Sequence, residues 1–362
     1  MRAMTHFTAL AIACASAAAA APLKVMTYNV LHGQPCSGGS LGSEVAPRMA
    51  LAVAGGPNGE PGLTSLAPDV IGMQEVSQVL VDQTVAENQA CGVIALLPPP
   101  IGGVPPGVTA VTAYEHQGDN LVRLLNGAVT GSPYRMRFVR DNPRILPLLP
   151  DVPLPPDDKT LSDHSTETGN IEIGLAVVSK LRIQQVTVHN LTIGFVPGET
   201  RAILHATLRD DSGKPYDFYD SHLTTTGGDS PQTVLMATEI LRFITTTRRH
   251  PENPGFFTCD CNAEEGSAVY EIFADAGFID SFRAIHPSAA GLTSGRDGLD
   301  TDCNQQVTAR IDYVWAIPDA AGATPPVVSS EVVMDYNELN LALGGCRWPS
   351  DHNGVITTFD VD

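Results

Sequence analysis

The sequence predicts an α/β fold in which two mixed β-sheets pack against each other between outer layers of helices. Apolar runs rich in β-branched residues recur between turn signals along the 362 residues, and helical patterns lie between them. The strands are numerous for the length of the chain, which favours a four-layer α-β-β-α sandwich over one open parallel sheet. Since 43% of the residues are hydrophobic and 17% are charged, the chain can fill such a core.

Eight segments are predicted as strands because each is apolar and bounded by turn residues. They are Leu23–Leu31, Asp69–Val76, Ile171–Lys180, Arg201–Leu208, Tyr216–Leu223, Gly255–Cys261, Ile311–Ile317 and Gly354–Val361. Ser77–Gln89, Pro231–Arg248 and Ser267–Ala276 are predicted as helices. Proline suits the first turn of the second helix, and Gly277 suits the end of the third. The Pro-rich stretches that begin at Leu96 and Asn142 are predicted as surface loops, with an apolar lip for a membrane or bulky substrate as the alternative.

Residues 1–21 have the pattern of a secretory signal peptide. Arg2 precedes an apolar stretch from Phe7 to Cys14, and a run of alanines then offers A-x-A cleavage sites. This stretch is shorter than the roughly 20 residues of a membrane span. We therefore expect cleavage near Ala21 and a secreted or periplasmic monomer without a transmembrane segment.

The cysteines indicate disulfides. If Cys14 leaves with the signal, the seven cysteines become six, an even number in an exported chain. We do not expect Cys259 and Cys261 to pair with each other, because residues two apart on an extended chain lie near the roughly 7 Å limit for bridged Cα atoms. One C-x-C without a companion pair is also weak evidence for zinc. We therefore predict that each bridges a distant cysteine behind its strand, and the pairing stays open.

The charge of the chain limits its partners. A formal net charge of −19 and a pI of about 4.7 argue against a protein that coats nucleic acid by bulk positive charge. They do not exclude a nuclease that binds its substrate at a local site. The surplus of carboxylates suits a site for a divalent cation.

Six short polar strings lie beside predicted strands. They are "TYNV" with Asn29, "DVIGMQEV" with Glu75, "YDSHLTT" with His222, "TCDCNAEEGS" with Asp260 and Asn262, "RIDYVW" with Asp312, and "SDHNGV" with Asp351 and His352. In this order the strings resemble those of the endonuclease/exonuclease/phosphatase superfamily, which includes bacterial neutral sphingomyelinases. Each string alone is weak evidence, but six in sequence are strong evidence. The resemblance implies one catalytic domain over residues 22–362 with a DNase I-like fold.

The resemblance also implies a metal-dependent phosphoester hydrolase. Glu75 corresponds to the central ligand of Mg²⁺, with Mn²⁺ or Ca²⁺ as alternatives. Asn29 and Asp351 would add the oxygen atoms that such cations prefer. The residue types fit the chemistry, because phosphodiester hydrolysis requires a cation at the phosphate, an activated water and donors for the developing charge.

The remaining site residues are expected to act on water and phosphate, again by resemblance. His352 would take or relay the proton of the attacking water, and Asp312 would orient its imidazole. Asp260 would align the nucleophile. Asn262 would donate to a phosphate oxygen, and His222 would contact the phosphate or the leaving group.

The substrate is less defined than the reaction. Leu31 stands where the abasic-site repair branch has an acid, and "AEEGS" does not match the inositol-polyphosphate phosphatases. We expect nucleic acid or another soluble phosphodiester, because the Pro-rich loops lack the Trp and Phe of a lipid enzyme. A phospholipid phosphodiesterase of the neutral sphingomyelinase type and a catalytically silent binding module are the alternatives. Basic residues would form a local phosphate track for a nuclease, either at Arg248–His250 or at Arg123, Arg135, Arg137 and Arg140.

Overall fold

The structure is a computed structural model that describes residues 22–31, 45–80, 114–131, 133–140, 172–191, 201–296, 302–340 and 345–361. In these ranges the strands are β1 Leu23–Asn29, β2 Val70–Leu80, β3 Tyr114–His116, β4 Arg135–Arg140, β5 Glu172–Ser179, β6 Arg182–Asn190, β7 Ala202–Arg209, β8 Pro215–His222, β9 Gly255–Asp260, β10 Ile279–Asp280, β11 Asp312–Ile317, β12 Val327–Val333, β13 Glu338–Asn340, β14 Gly345–Arg347 and β15 Gly354–Phe359. The helices are α1 Val45–Ala54, α2 Leu63–Leu66, α3 Gln117–Ala128, α4 Pro231–Thr247, α5 Ala268–Asp275 and α6 Ser281–Ile285.

Two mixed sheets form the centre of the molecule. The first has the strand order β12-β15-β1-β2-β5-β4, with β3 paired to β2, and the second has the order β10-β11-β9-β8-β7-β6. The β1–β2 and β8–β9 pairs are parallel, whereas the other pairs in these sheets are antiparallel. Each of the eight predicted strands is present, with shifted ends.

The core confirms the predicted four-layer sandwich. Side chains alternate between the faces of a strand. On β1, Val25 therefore packs between the sheets with Phe218 and Phe256, whereas Met26 belongs to the outer core that includes residues of α1 and α3. Trp315 of the second sheet packs outward with residues of α4 and α5. Helices thus cover the outer face of each sheet.

One predicted helix is wrong at its start. Residues 77–80 of the predicted Ser77–Gln89 helix continue β2, with Ser77 opposite Ile173 and Val79 opposite Glu115. A short apolar pattern fits either structure, and here pairing with β3 and β5 on opposite edges selects the strand. Residues 81–89 and both Pro-rich stretches lie outside the described residues.

The prediction for the C-x-C cysteines is also wrong. Cys259 and Cys261 form a disulfide with each other, and their Cα atoms are 5.1 Å apart. The prediction assumed an extended chain, but β9 ends at Asp260, and the chain contracts there to a separation that a disulfide accepts. The bridge is buried in the core under α4 and α5. Cys303 and Cys346 form a second disulfide, and Cys36 and Cys91 lie outside the described residues.

A buried polar contact joins the two sheets. Gln74 Nε2 on β2 donates to Asp220 Oδ1 on β8 at 2.6 Å, and Thr258 Oγ1 on β9 donates to the same oxygen at 2.8 Å. Gly72 permits this approach, because a Cβ atom there would lie 2.0 Å from Thr258 Oγ1. The contact sets the position of β2 relative to β8 and β9. Glu75 lies within β2, whereas His222 and Asp260 end β8 and β9.

Candidate active site

The predicted site residues converge at one edge of the paired sheets. His222 lies opposite Asp260 in the β8–β9 register, and Asp260 lies opposite Asp312 in the β9–β11 register. Asn29 ends β1, and its neighbour in the parallel β1–β2 register is Gln74, the residue before Glu75. The turn that carries Asp351 and His352 reaches the same edge, because Ser350 Oγ donates to Asn29 O at 2.7 Å.

Asn29 connects the carboxylates of the two sheets. Its Nδ2 donates to Glu75 Oε1 at 3.1 Å and to Asp260 Oδ2 at 2.9 Å, while its Oδ1 accepts from Leu31 N at 3.0 Å. The amide nitrogen therefore faces the carboxylates, and the amide oxygen holds the backbone. In this arrangement Asn29 positions Glu75 and Asp260, and its predicted role as a metal ligand stays a prediction.

Glu75 lies at an irregularity of β2. The pairing of β2 with β5 shifts register between Met73 and Val76, and Glu75 has a left-handed φ of 58°. Bulges of this kind redirect side chains and are frequent beside active sites. Left-handed backbone is unfavourable for a glutamate. The strand therefore holds the Glu75 carboxylate in the cleft at a cost in backbone strain.

His222 is held by an arginine that the sequence strings do not include. Arg201 Nη1 lies 2.7 Å from His222 Nδ1, and both side chains are buried. Since a guanidinium only donates, Nδ1 accepts and Nε2 carries the hydrogen. Nε2 lies 3.5 Å from Asp260 Oδ2 and 4.0 Å from Glu75 Oε1. His222 therefore offers a donor to the cleft, which fits the predicted phosphate contact.

His352 and Asp312 form a buried pair. Asp312 Oδ2 lies 2.9 Å from His352 Nδ1, and Ser294 Oγ lies 3.2 Å from His352 Nε2. Burial lowers the pKa of His352, but the negative charges of Asp312, Asp351 and Asp260 outweigh it, so the pKa lies well above its ordinary value. The imidazole is thus oriented, and the surrounding carboxylates favour its protonated form in the metal-free site. A cation that offset part of their charge would lower this pKa towards the range that a proton acceptor needs.

Asn262 lies just after β9 and contacts the site through Asp260 and Leu223. Its backbone NH donates to Asp260 Oδ1 at 3.1 Å, and its Nδ2 donates to Leu223 O at 2.9 Å. Asn262 has a left-handed φ of 46°, a conformation that asparagine tolerates better than most residues. One of its two amide hydrogens remains for a phosphate oxygen.

The charges of the site fit a divalent cation. Burial, Asp312 and Glu75 raise the pKa of Asp260 to about 7 despite the opposing effect of His352. Burial and Glu75 likewise raise the pKa of Asp351. Ligand atoms of Glu75, His222 and Asp260 lie within 4.8 Å of one another. A cation bound here would relieve the repulsion among these carboxylates, and oxygen donors are those that Mg²⁺ and Mn²⁺ accept.

Parts of both proposed arginine tracks lie far from this site. The backbone NH groups of Arg249 and His250 donate to Asp217 Oδ2, five residues before His222 on β8 and therefore roughly 17 Å away along the strand. Arg135 pairs with Ser179 at the end of β5 remote from the site.

The side chains of β4 alternate between the two faces of the first sheet. Met136 and Phe138 face the outer core, so Arg135 and Arg137 project from the opposite face. Arg123 contacts Asn120 on α3. Arg140 differs from these residues, because it lies opposite Gly174 on β5, which in turn lies opposite Val76 beside Glu75. The second track therefore reaches the site end of the first sheet only at Arg140.

Comparisons with known proteins agree with this geometry. The model of the Endonuclease/Exonuclease/phosphatase family matches residues 26–352. No curated protein matches the chain.

Many solved structures share the fold. A family protein from Leptotrichia buccalis superposes with a TM-score of 0.54 at 17% identity, covering 93% of this chain and 99% of that one. A mannosyl-6-phosphatase from Bacteroides thetaiotaomicron gives 0.55 at 15% identity, with coverage of 93% and 99%. D. rerio TDP2 complexed with a single-strand DNA product gives 0.52 at 13% identity, with coverage of 94% and 99%.

Among the described residues, no helix is long and apolar enough to cross a membrane.

Proposed function

The chain belongs to the endonuclease/exonuclease/phosphatase family, and we propose that it is a divalent-metal-dependent phosphodiesterase. The observation that carries the proposal is the approach of Glu75, Asp260 and His222 beside the buried His352–Asp312 pair. These groups supply cation ligands, a proton acceptor and a hydrogen-bond donor within one cleft. Phosphoester hydrolysis requires this combination.

Glu75 and Asp351 would hold the cation, for which Mg²⁺ is our first candidate. When bound, the cation would supply positive charge to the phosphate and polarise its phosphorus–oxygen bonds. Asn29 keeps Glu75 and Asp260 apart at fixed positions by donating to both. We propose the oxygen of Asn29 as an additional ligand, for which the amide would have to turn, because Oδ1 now accepts from Leu31 N.

The other residues would bind and move protons. His352 Nε2 would accept the proton of the attacking water while Asp312 holds Nδ1. Asp260, 3.8 Å from His352 Nε2, would align that water. His222 Nε2 and the second amide hydrogen of Asn262 would donate to phosphate oxygens. Because buried partners hold these donors in place, they need little reorganisation during the reaction.

We propose a soluble phosphodiester as the substrate class. Of the basic residues expected of a nuclease, Arg135, Arg249 and His250 lie away from the cleft, whereas Arg140 lies at the same end of the first sheet as Glu75. This sparse positive charge favours a compact diester over a long polyanion. The Cys259–Cys261 and Cys303–Cys346 bridges support an oxidising location, so we propose a secreted or periplasmic protein acting as a monomer.

Parallel assays test this proposal. Purified protein is incubated with bis(p-nitrophenyl) phosphate, p-nitrophenyl phosphate, supercoiled plasmid and sphingomyelin vesicles, each with Mg²⁺ or with EDTA. We expect hydrolysis of the diester with Mg²⁺ and its loss in EDTA. Plasmid nicking or sphingomyelin cleavage at higher efficiency would redirect the substrate assignment to nucleic acid or phospholipid. Folded protein that turns over none of the four would contradict the proposal.

A further inference from the structure

A four-residue segment, Thr293–Arg296, frames the His352–Asp312 pair and belongs to none of the six strings. It forms an isolated antiparallel bridge with the chain that leads into β11. Ser294 N donates to Ala309 O at 3.0 Å, and Thr308 N donates to Ser294 O at 2.7 Å. Gly295 has a φ of 116°, and a Cβ atom there would lie 2.9 Å from Thr308 N. A glycine is therefore required for this path.

Thr293 fixes the backbone on both sides of the pair. Its Oγ1 accepts from Ile311 N at 3.2 Å and from Asp312 N at 3.3 Å. Its carbonyl oxygen accepts from Asn353 N at 2.7 Å. One residue thus connects the start of β11 to the turn that carries His352.

Arg296 anchors the other end of the segment. Its Nη1 donates to Asn353 Oδ1 at 2.8 Å, and its guanidinium carbon lies 4.2 Å from the centre of the Trp348 ring. It also pairs with Asp335, although its own side chain is buried. These contacts hold the segment against the turn at residues 350–353.

Within this frame, Ser294 reaches the reactive nitrogen of His352. Its Oγ lies 3.2 Å from Nε2, while Asp312 occupies Nδ1. The imidazole is therefore held at both nitrogens, and its plane is defined by partners on two separate segments. Ser294 is half-buried.

We propose that Ser294 is a positioning residue. Its hydroxyl holds the plane of the His352 imidazole in the resting site and is replaced at Nε2 by the nucleophilic water when substrate binds, with Thr293–Arg296 as its rigid support. This inference rests on the proposed phosphodiesterase function. The same Ser–His–Asp arrangement would also suit a serine nucleophile. The structure favours positioning, because the backbone NH of such a nucleophile usually stabilises the oxyanion, and Ser294 N already donates to Ala309 O.

Three variants test the inference. Ser294→Ala removes the hydroxyl, Ser294→Thr keeps it, and Ser212→Ala is the matched control because Ser212 lies on an exposed turn. With bis(p-nitrophenyl) phosphate and Mg²⁺, Ser294→Ala should lower kcat about 5- to 30-fold, the effect of one or two lost hydrogen bonds, with KM within about twofold. Ser294→Thr should restore most of kcat, and Ser212→Ala should match the wild type.

A second measurement does not depend on turnover. The ¹⁵N signal of His352 Nε2 should move in Ser294→Ala and return towards its original position in Ser294→Thr. An unchanged Nε2 signal, or an unchanged kcat in an active enzyme, would overturn the inference. Covalent labelling of Ser294 by a fluorophosphonate, with complete loss of turnover in Ser294→Ala, would overturn it in favour of a nucleophile. An inactive wild type would refute the proposed function, while the Nε2 signal would still decide the role of Ser294.

Discussion

Arg201 Nη1 lies 2.7 Å from His222 Nδ1 in a buried contact that determines which imidazole nitrogen carries the hydrogen. The guanidinium occupies Nδ1, so the hydrogen lies on Nε2 and points to the cleft between Glu75 and Asp260. Neutral His222 in this tautomer lacks a lone pair on Nε2 for a metal ion. Its closeness to two carboxylates therefore supports a role in binding phosphate, although the three residues also have the spacing of a metal site.

Replacing Arg201 should weaken catalysis through His222. We expect Arg201→Met to reduce kcat/KM by about 10- to 100-fold, the effect of losing one hydrogen bond from a charged donor. Arg201→Lys should retain more activity because an ammonium also donates to Nδ1. Arg182→Met is the control, since Arg182 is exposed on β6. Full activity in a folded Arg201→Met protein would show that the contact has no functional role.

The backbone conformation of Glu75 should lower the stability of the fold while its carboxylate supports the metal-dependent rate. Its left-handed backbone costs about 1 kcal/mol or more in a residue other than glycine. In EDTA, Glu75→Gly should be about 1 kcal/mol more stable to urea than Glu75→Ala, because glycine accepts this conformation. Both variants should lose more than about 100-fold of the metal-dependent rate.

Ala67→Gly provides the matched control for this backbone effect. Ala67 has a φ of 52° at the end of α2, away from the cleft. Glycine should stabilise the protein there by a similar amount and leave the rate unchanged. Equal stability of Glu75→Gly and Glu75→Ala would disprove the strain assigned to β2.

The contribution of Asp217 to the stability of the fold should decrease at acid pH. Burial raises the pKa of Asp217, but donors from His205 and from the backbone of His250 and Arg249 outweigh it, so the pKa lies below its ordinary value of 3.8. The stabilisation is therefore present above the ordinary pKa and is lost as pH falls through the folded pKa.

The Asp217→Asn variant isolates this contribution. At pH 7 it should lose about 1.5 to 3 kcal/mol, because the hydrogen bonds from His205 and the two NH groups lose a charged acceptor. Urea denaturation between about pH 7 and pH 3 should show the gap to wild type narrowing at the acid end. A gap that stays constant with pH would mean that the Asp217 charge does not contribute.

Cation binding should release protons from the site. The metal-free pKa of Asp260 is about 7, because the carboxyl is buried near Asp312 and Glu75. A bound cation favours the ionised carboxylate, so apparent affinity for Mn²⁺ should rise between about pH 5.5 and pH 7.5. Calorimetry in two buffers of different ionisation enthalpy measures this release. Asp260→Asn should reduce it, and identical heats in both buffers for the wild type would contradict the account.

The sequence was sufficient to predict the fold class and the site residues that the structure brings together. His222 and Asp260 lie at strand ends and Glu75 lies within β2, and these strands were evident from local apolar patterns. Arg201 and Ser294 were missed as partners of the site, because their contacts with His222 and His352 depend on segments that meet only in the fold. The prediction that Cys259 and Cys261 do not pair failed for a local reason, since it treated the end of β9 as fully extended.

Anomalous diffraction from a crystal soaked in Mn²⁺ and a phosphate analogue is the most direct test of metal-assisted catalysis at this cleft. We predict one Mn²⁺ peak in contact with the carboxylates of Glu75 and Asp351, with the analogue between that ion and His222. A fully active enzyme whose Mn²⁺ lies elsewhere, with the cleft at Glu75 empty, would contradict the account.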